Sequence, residues 1–269
     1  MRVLTYNVHG WRAEDGRSNE DLVAEVIGDA AADIVGLNEV FNPGPAQGEA
    51  CLQRLALRLG LHYAFGATQP AHPHPAHPPY GNAVLSRWPI MAHAAHHLSP
   101  QVSYGKRGLL EARIALPARA PLTVYVTHLD HRAEDVRLAQ WSAASTWLAR
   151  DRGRPHLLLG DFNALAAADY PSPAALEGLA AYQAQRGWPA PAFDLLEAVL
   201  RAGYADAFVH AGGAPGRGAT FPADQPERRI DFIFVPQLFA AAVRSCSALA
   251  GAGASSASDH LPVLADLDL

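Results

Sequence analysis

With 269 residues, 49% of them hydrophobic and 17% charged, the chain can build a sizeable core, and general disorder is excluded. A net charge of −5 argues against a broad basic face for gripping duplex nucleic acid, although carboxylates that hold a metal count as negative here. No apolar run approaches the roughly 18 residues that cross a bilayer, no secretory leader opens the sequence, and Cys51 and Cys246 match no zinc spacing. A cytoplasmic chain with two reduced thiols and no membrane anchor is therefore expected.

Residues 2–8 read as a buried strand closing on a polar turn at 7–10. Residues 19–31 have helical spacing, with Leu22, Val23, Val26 and Ile27 on one face, and 33–40 form a strand ending at Asn38-Glu39. A helix over 49–59 and a short strand over 61–65 follow. The segment 69–79 carries His72, His74 and His77 among five prolines; with no carboxylate or cysteine beside them, a stiff solvated rim is the better reading than a metal site. Strands are predicted over 81–86, 91–98, 109–116 and 122–128, then an amphipathic helix over 132–149 and a strand over 155–160. Helices over 174–186 and 193–202 form an insertion ahead of the last strands, 229–235, 242–249 and 261–267. Residues 251–258 are flexible in composition. No repeat and no Gly/Ser-rich linker divides the chain, so a single domain over 1–269 is expected.

The residues with chemical potential sit where apolar strands end: Asn7, Glu39, His128, Asp161 with Asn163, and Asp259 with His260. Each alone is an ordinary turn, cap or core residue. Together they offer carboxylate and amide oxygens for a hard cation, plus imidazoles that can donate to a phosphoryl oxygen or relay a proton near pH 7. Strand ends that converge on one edge of a sandwich could bring them around one cavity.

Their local contexts are Thr5-Tyr6-Asn7-Val8, Leu37-Asn38-Glu39-Val40, Tyr80-Gly81-Asn82-Ala83-Val84-Leu85-Ser86, Thr127-His128-Leu129-Asp130, Gly160-Asp161-Phe162-Asn163, Arg229-Ile230-Asp231-Phe232-Ile233 and Ser258-Asp259-His260-Leu261-Pro262-Val263. In this order they resemble the endonuclease/exonuclease/phosphatase superfamily of DNase I-like phosphohydrolases. Asn38 departs from it, since the family usually places Gln before its metal-binding Glu. The resemblance implies a four-layered α/β sandwich, with two packed mixed β-sheets flanked by helices. It also implies Mg²⁺ or Mn²⁺ as cofactor, held by Glu39 with help from Asn7 and Asp259. Asp161 would orient or deprotonate the attacking water, Asn163 would hold a phosphate oxygen, and His128 and His260 would stabilise the transition state. Asp231 would hydrogen-bond the His260 ring and raise its pKa. Asn82, Arg107 and Arg137 are further candidates for phosphate contact, the two arginines being equally readable as members of ion pairs.

The implied activity is metal-dependent hydrolysis of a phosphate ester, with nucleic acid as the leading substrate class. A phosphomonoester, a phospholipid headgroup or an inositol phosphate is the alternative, and an inert binding module is a third reading that the intact residue set disfavours.

Overall fold

The structure is a computed structural model that describes residues 1–13, 15–42, 50–68, 78–98 and 107–269. Its strands form two six-stranded sheets. The first contains β1 (Arg2–Asn7), β2 (Ile34–Phe41), β3 (His62–Ala67), β4 (Tyr80–Ser86), β11 (Val243–Ala248) and β12 (Val263–Leu267), in the order β11-β12-β1-β2-β4-β3. The second contains β5 (Ile90–His97), β6 (Gly108–Ile114), β7 (Leu122–His128), β8 (His156–Asp161), β9 (Tyr204–Asp206) and β10 (Asp231–Pro236), in the order β5-β6-β7-β8-β10-β9. Each sheet is mixed: β1 runs parallel to β2 and β7 parallel to β8, while the remaining pairs are antiparallel.

Side-chain alternation along the strands sorts the core into layers. Val3, Ile34 and Val84 of the first sheet meet Val126, Leu159 and Ile233 of the second in a shared interior. Leu4, Tyr6 and Val35 point the other way, onto Val23 and Ile27 of α1 (Glu20–Ala30) and Leu52 and Leu55 of α2 (Cys51–Leu59). On the far side, Tyr125, Leu158 and Phe232 pack against Trp141 and Leu148 of α3 (Glu134–Leu148) and Leu195 and Val199 of α5 (Asp194–Arg201). The result is the four-layered sandwich that the sequence implied. Strands covered on both faces read as unbroken apolar runs because neither face meets water. Where β2 crosses β8 the sheets come so close that a Cβ on Gly36 would lie 2.4 Å from Leu159 Cδ1.

Three departures from the sequence reading have physical causes. Residues 251–258 hold a helix, α7 (Ala252–Ala257), in place of a flexible segment. It is held by packing: Ala254 and Ala257 are buried, and the Asn19 amide donates to Val8 O at 3.0 Å and Ala257 O at 2.6 Å. Asn19, which opens the predicted helix, therefore joins α7 to β1 and makes no side-chain cap on α1. Strand β9 and the short helix α6 (Ala207–His210) were missed, being too short to show periodicity. Of the Pro/His segment, residues 69–77, including His72, His74 and His77, lie outside the described residues.

Candidate active site

The ends of β1, β2, β7 and β8 lie together along one edge of the sandwich, since β1–β2 and β7–β8 are the parallel pairs and run out in register. Asn38 ties the two sheets at this edge. Its amide donates to Asn82 Oδ1 and Thr127 O, each at 2.9 Å, while its own oxygen accepts the Asp161 backbone N–H at 2.9 Å. Glu39, the next residue, has φ 59° at a break in the β2–β4 register. A non-glycine residue in the left-handed region is strained by roughly 1–2 kcal/mol, tolerated where the surroundings over-determine it. Asn163 is a second such residue, at φ 50°.

The centre of the site is the Asp161 carboxylate. Its Oδ2 lies 3.1 Å from Asn7 Nδ2, 3.4 Å from His128 Nε2 and 3.8 Å from His260 Nε2. Its Oδ1 accepts the Asn163 N–H at 2.9 Å. Asn7 Nδ2 also reaches Glu39 Oε1 at 3.2 Å, so this amide bridges the two carboxylates. Of the two roles open to Asn7, oxygen ligand or donor, this arrangement presents the donor: its oxygen accepts the His9 N–H at 3.1 Å and its nitrogen faces the acids.

The two histidines stand in opposite protonation environments. Asp231 Oδ2 lies 2.8 Å from His260 Nδ1 and takes a second hydrogen bond, at 2.6 Å, from the Thr220 hydroxyl. Burial by itself would lower the His260 pKa, but the charge and hydrogen bond of Asp231 outweigh it and hold the ring raised, favouring the imidazolium. His128 is pushed well below its ordinary value, first by burial and then by the Arg107 guanidinium. Arg107 Nη1 lies 3.0 Å from His128 Nδ1. A guanidinium can only donate, so Nδ1 must present its lone pair and the proton sits on Nε2, which faces the cavity. His128 is thus a neutral donor and His260 a charged one. Asp161 itself is held raised by burial and by repulsion from Asp231.

These groups line a cavity of about 320 Å³. Glu39, His128, Asp161, Asn163, Asp259 and His260 belong to its polar side. The apolar part of its lining includes Leu179 and Tyr182 of α4 (Pro173–Gln185), Trp188, and Phe221, which packs against His260. Asn7 and Asp231 stand behind the lining, touching it through Asp161 and His260. Asp259 Oδ1 lies 3.6 Å from His9 Nδ1, and Ser258 secures the loop by donating to Asn7 O at 2.7 Å.

Of the three candidates for phosphate contact, Asn82 stands away from the cavity, whereas Arg107 and Arg137 line it. Asn82 is fully buried away from the cavity, its amide donating to Gly108 O and Val126 O and its oxygen accepting from Asn38; an amide spent on backbone carbonyls has nothing left for a phosphate. Arg107 reaches the cavity but is engaged by His128 and His131, so it acts on the site through an imidazole. Arg137 also lines the cavity, with Nε on Glu134 at 2.7 Å and Nη1 on Asp130 O at 2.9 Å, an intramolecular anchor. Asn163 spends one amide hydrogen on Leu129 O at 3.2 Å. Asn38 and Tyr80 are site residues beyond those that the motifs assign a role. A buried Asn inside an apolar strand was the available signal for the first. Tyr80 lines the cavity from the start of the motif that contains Asn82.

The donor set suits a hard divalent cation. Oxygen ligands dominate, Asp231 Oδ1 is buried with no hydrogen-bond partner, and Asp161 is raised by burial and then by the neighbouring carboxylates. Among the described residues, Asp161, Asp231 and His260 have ligand atoms within 4.8 Å of one another. His260 is poorly disposed to be a ligand in that trio, because Nδ1 is bound to Asp231 and the charged ring has no lone pair.

The model of the Endonuclease/Exonuclease/phosphatase family matches residues 4–260. No curated protein matches the sequence. Among solved structures, an endonuclease/exonuclease/phosphatase from Beutenbergia cavernae is 27% identical, with a TM-score of 0.73, covering 100% of this chain and 71% of its own. A 3′ phosphatase from Neisseria bound to a product DNA hairpin is 18% identical with a TM-score of 0.70, and both chains are covered in full. A mannosyl-6-phosphatase from Bacteroides thetaiotaomicron, 18% identical with a TM-score of 0.67, is likewise covered in full.

Proposed function

The chain belongs to the endonuclease/exonuclease/phosphatase family of phosphate-ester hydrolases, and from that premise we propose that it is a divalent-metal-dependent phosphodiesterase acting on nucleic acid. The observation that carries this reading is the Asp161 carboxylate flanked by two cavity donors of different charge, neutral His128 and charged His260, and oriented from behind by the Asn7 amide. That arrangement suits in-line attack of water on a tetrahedral phosphoryl group. Asp161, whose proton affinity is raised, takes the proton of the attacking water. His128 Nε2–H and the His260 imidazolium donate to non-bridging oxygens as negative charge builds in the transition state. Asn163 uses its remaining amide hydrogen on the same phosphoryl group. Glu39 and Asp259, on the cavity side, would hold Mg²⁺ or Mn²⁺, which when bound neutralises charge on the phosphoryl and leaving oxygens. The DNA product held by the Neisseria neighbour supports nucleic acid as the substrate class.

The test is hydrolysis of bis(p-nitrophenyl) phosphate and of single-stranded and duplex oligonucleotides with Mg²⁺, with Mn²⁺ and with EDTA. Activity should vanish in EDTA and return with either metal, and Asp161→Asn and His260→Ala should each lower kcat by about 10²–10⁴. Full turnover in EDTA sinks the proposal. The half-enclosed cavity also favours a second reading, a phosphomonoesterase for a small ester, by analogy with the Bacteroides neighbour. Release of inorganic phosphate from mononucleotides or sugar phosphates, without diester cleavage, would decide for it.

A further inference from the structure

The cavity wall contains an arginine whose charge no neighbouring acid answers. Three arginines line the cavity: Arg107, Arg137 and Arg228. The first is engaged by two histidines and the second by Glu134. Arg229, next in sequence to Arg228, is buried between Asp169 and Asp206. Arg228 differs from all of them. Among the described residues no carboxylate lies within ion-pair distance of it, and its Nε is buried without a hydrogen-bond partner.

Arg228 is nevertheless held in place. Its backbone pairs with Phe221 across an isolated antiparallel bridge, with Arg228 N donating to Phe221 O at 2.9 Å and Phe221 N donating to Arg228 O at 3.0 Å. That pairing sets the guanidinium over the Phe221 ring, 4.8 Å from its centroid. Tyr182 of α4 takes the guanidinium at 3.8 Å. A second guanidinium, from Arg186, lies 3.6 Å from the same Tyr182 centroid. Phe221 in turn packs on the His260 ring, with centroids 4.8 Å apart. A chain of ring and guanidinium contacts therefore leads from the catalytic histidine outward, tilted by 52° at its first step and then face-on at the guanidinium: His260, Phe221, Arg228, Tyr182, Arg186.

A guanidinium fixed by aromatic faces keeps its N–H edge available and loses little side-chain entropy when an anion arrives. Planar N–H pairs match phosphate oxygens bidentately. The position is one aromatic ring beyond His260, which touches the phosphoryl group under attack. We propose that Arg228 is the receptor for a second phosphate of the substrate, the one neighbouring the scissile phosphate. The substrate class is thereby narrowed to phosphate esters carrying two phosphates in succession, as a nucleotide chain does. This rests on the phosphodiesterase reading above and adds to it a residue and a selectivity.

The experiment compares three dinucleotides with the same scissile linkage: one unphosphorylated, one with a 5′-phosphate and one with a 3′-phosphate. Wild-type protein should cleave one of the two phosphorylated forms with kcat/KM about tenfold above the unphosphorylated form, mainly through KM. Arg228→Gln should abolish that preference, and Arg228→Lys, which retains the charge but not the planar stack, should restore part of it. In oligonucleotide binding, Arg228→Gln should lower the slope of log K against log salt by about one, the signature of a lost phosphate contact. A merely structural role would depress all three dinucleotides alike and leave their ratios unchanged, which overturns the inference. A preference intact in Arg228→Gln overturns it as well. Wild-type protein that cleaves no phosphodiester overturns the underlying reading along with it, whereas active wild type without any preference for a second phosphate overturns the present inference alone.

Discussion

Single side chains here act through the protons they force on one another. Asp231 raises the pKa of His260, so the charged, catalytically useful form is populated until pH climbs through that raised value. Asp231→Asn removes the charge that holds it up. The alkaline limb of the kcat/KM profile should then move to lower pH, and turnover should fall by about 10–10², less than for His260→Ala. A profile unchanged in Asp231→Asn would refute the pairing as a determinant of rate. His156, at the opposite end of β8, makes a prediction about stability. Nδ1 faces Arg154 O at 3.0 Å and Nε2 faces the Tyr204 hydroxyl at 2.7 Å, and burial lowers its pKa below the usual 6.5. The unfolded chain therefore binds this proton first as pH falls, so the His156 contribution to stability declines below about pH 6.5. In melting curves between pH 7.5 and 5.5, the stability of wild type relative to His156→Gln should fall as pH falls.

Among the elements, β2 has the most demanding position, because it approaches β8 closely and ends on the strained Glu39. At Gly36 even one methyl group meets Leu159 Cδ1. Gly36→Ala should destabilise by about 1–3 kcal/mol through overpacking. Leu159→Val should offset part of that loss, so that the double variant melts above the additive expectation. Additive losses in denaturant titrations would show that the sheets can separate freely there. Helix α4 has the contrasting role. It contributes few core side chains, Leu179 being its buried residue, and its exposed turn presents Tyr182 to the cavity. It is therefore the element whose alteration should change substrate preference before stability.

For the whole molecule, buried carboxylates at one edge set stability against function. Burial and Asp231 raise the Asp161 pKa, so the folded state resists its ionisation. A carboxyl with a raised folded pKa takes stability away as pH rises beyond the ordinary carboxylate range. In EDTA, Asp161→Asn should thus melt above wild type at pH 8, with the gain shrinking toward pH 4.5. Mn²⁺ should raise the wild-type melting temperature by mass action and raise that of Glu39→Gln much less. Equal metal shifts in both proteins would remove Glu39 from the ligand set.

The sequence by itself determined the sandwich, the order of its strands' chemistry and the convergence of residues such as Asp161 and His260. The elements follow from apolar periodicity, and the sandwich and the convergence from the family resemblance that the short motifs carry; periodicity and motifs are both local along the chain. It also made α7 look flexible, because an Ala/Gly/Ser segment carries no amphipathic pattern and this helix is held by the distant Asn19. Only the tertiary structure decided which polar groups are spent and which remain free to act. Asn82 and Arg107 had the right chemistry for phosphate, yet partners far off in sequence, Asn38 and His128, occupy them. Arg228 carried no motif, and packing against Phe221 and Tyr182 left its charge unanswered in the cavity. Hydrogen bonds and burial depend on what the fold brings within about 3 Å, and a linear sequence holds that information only through the fold.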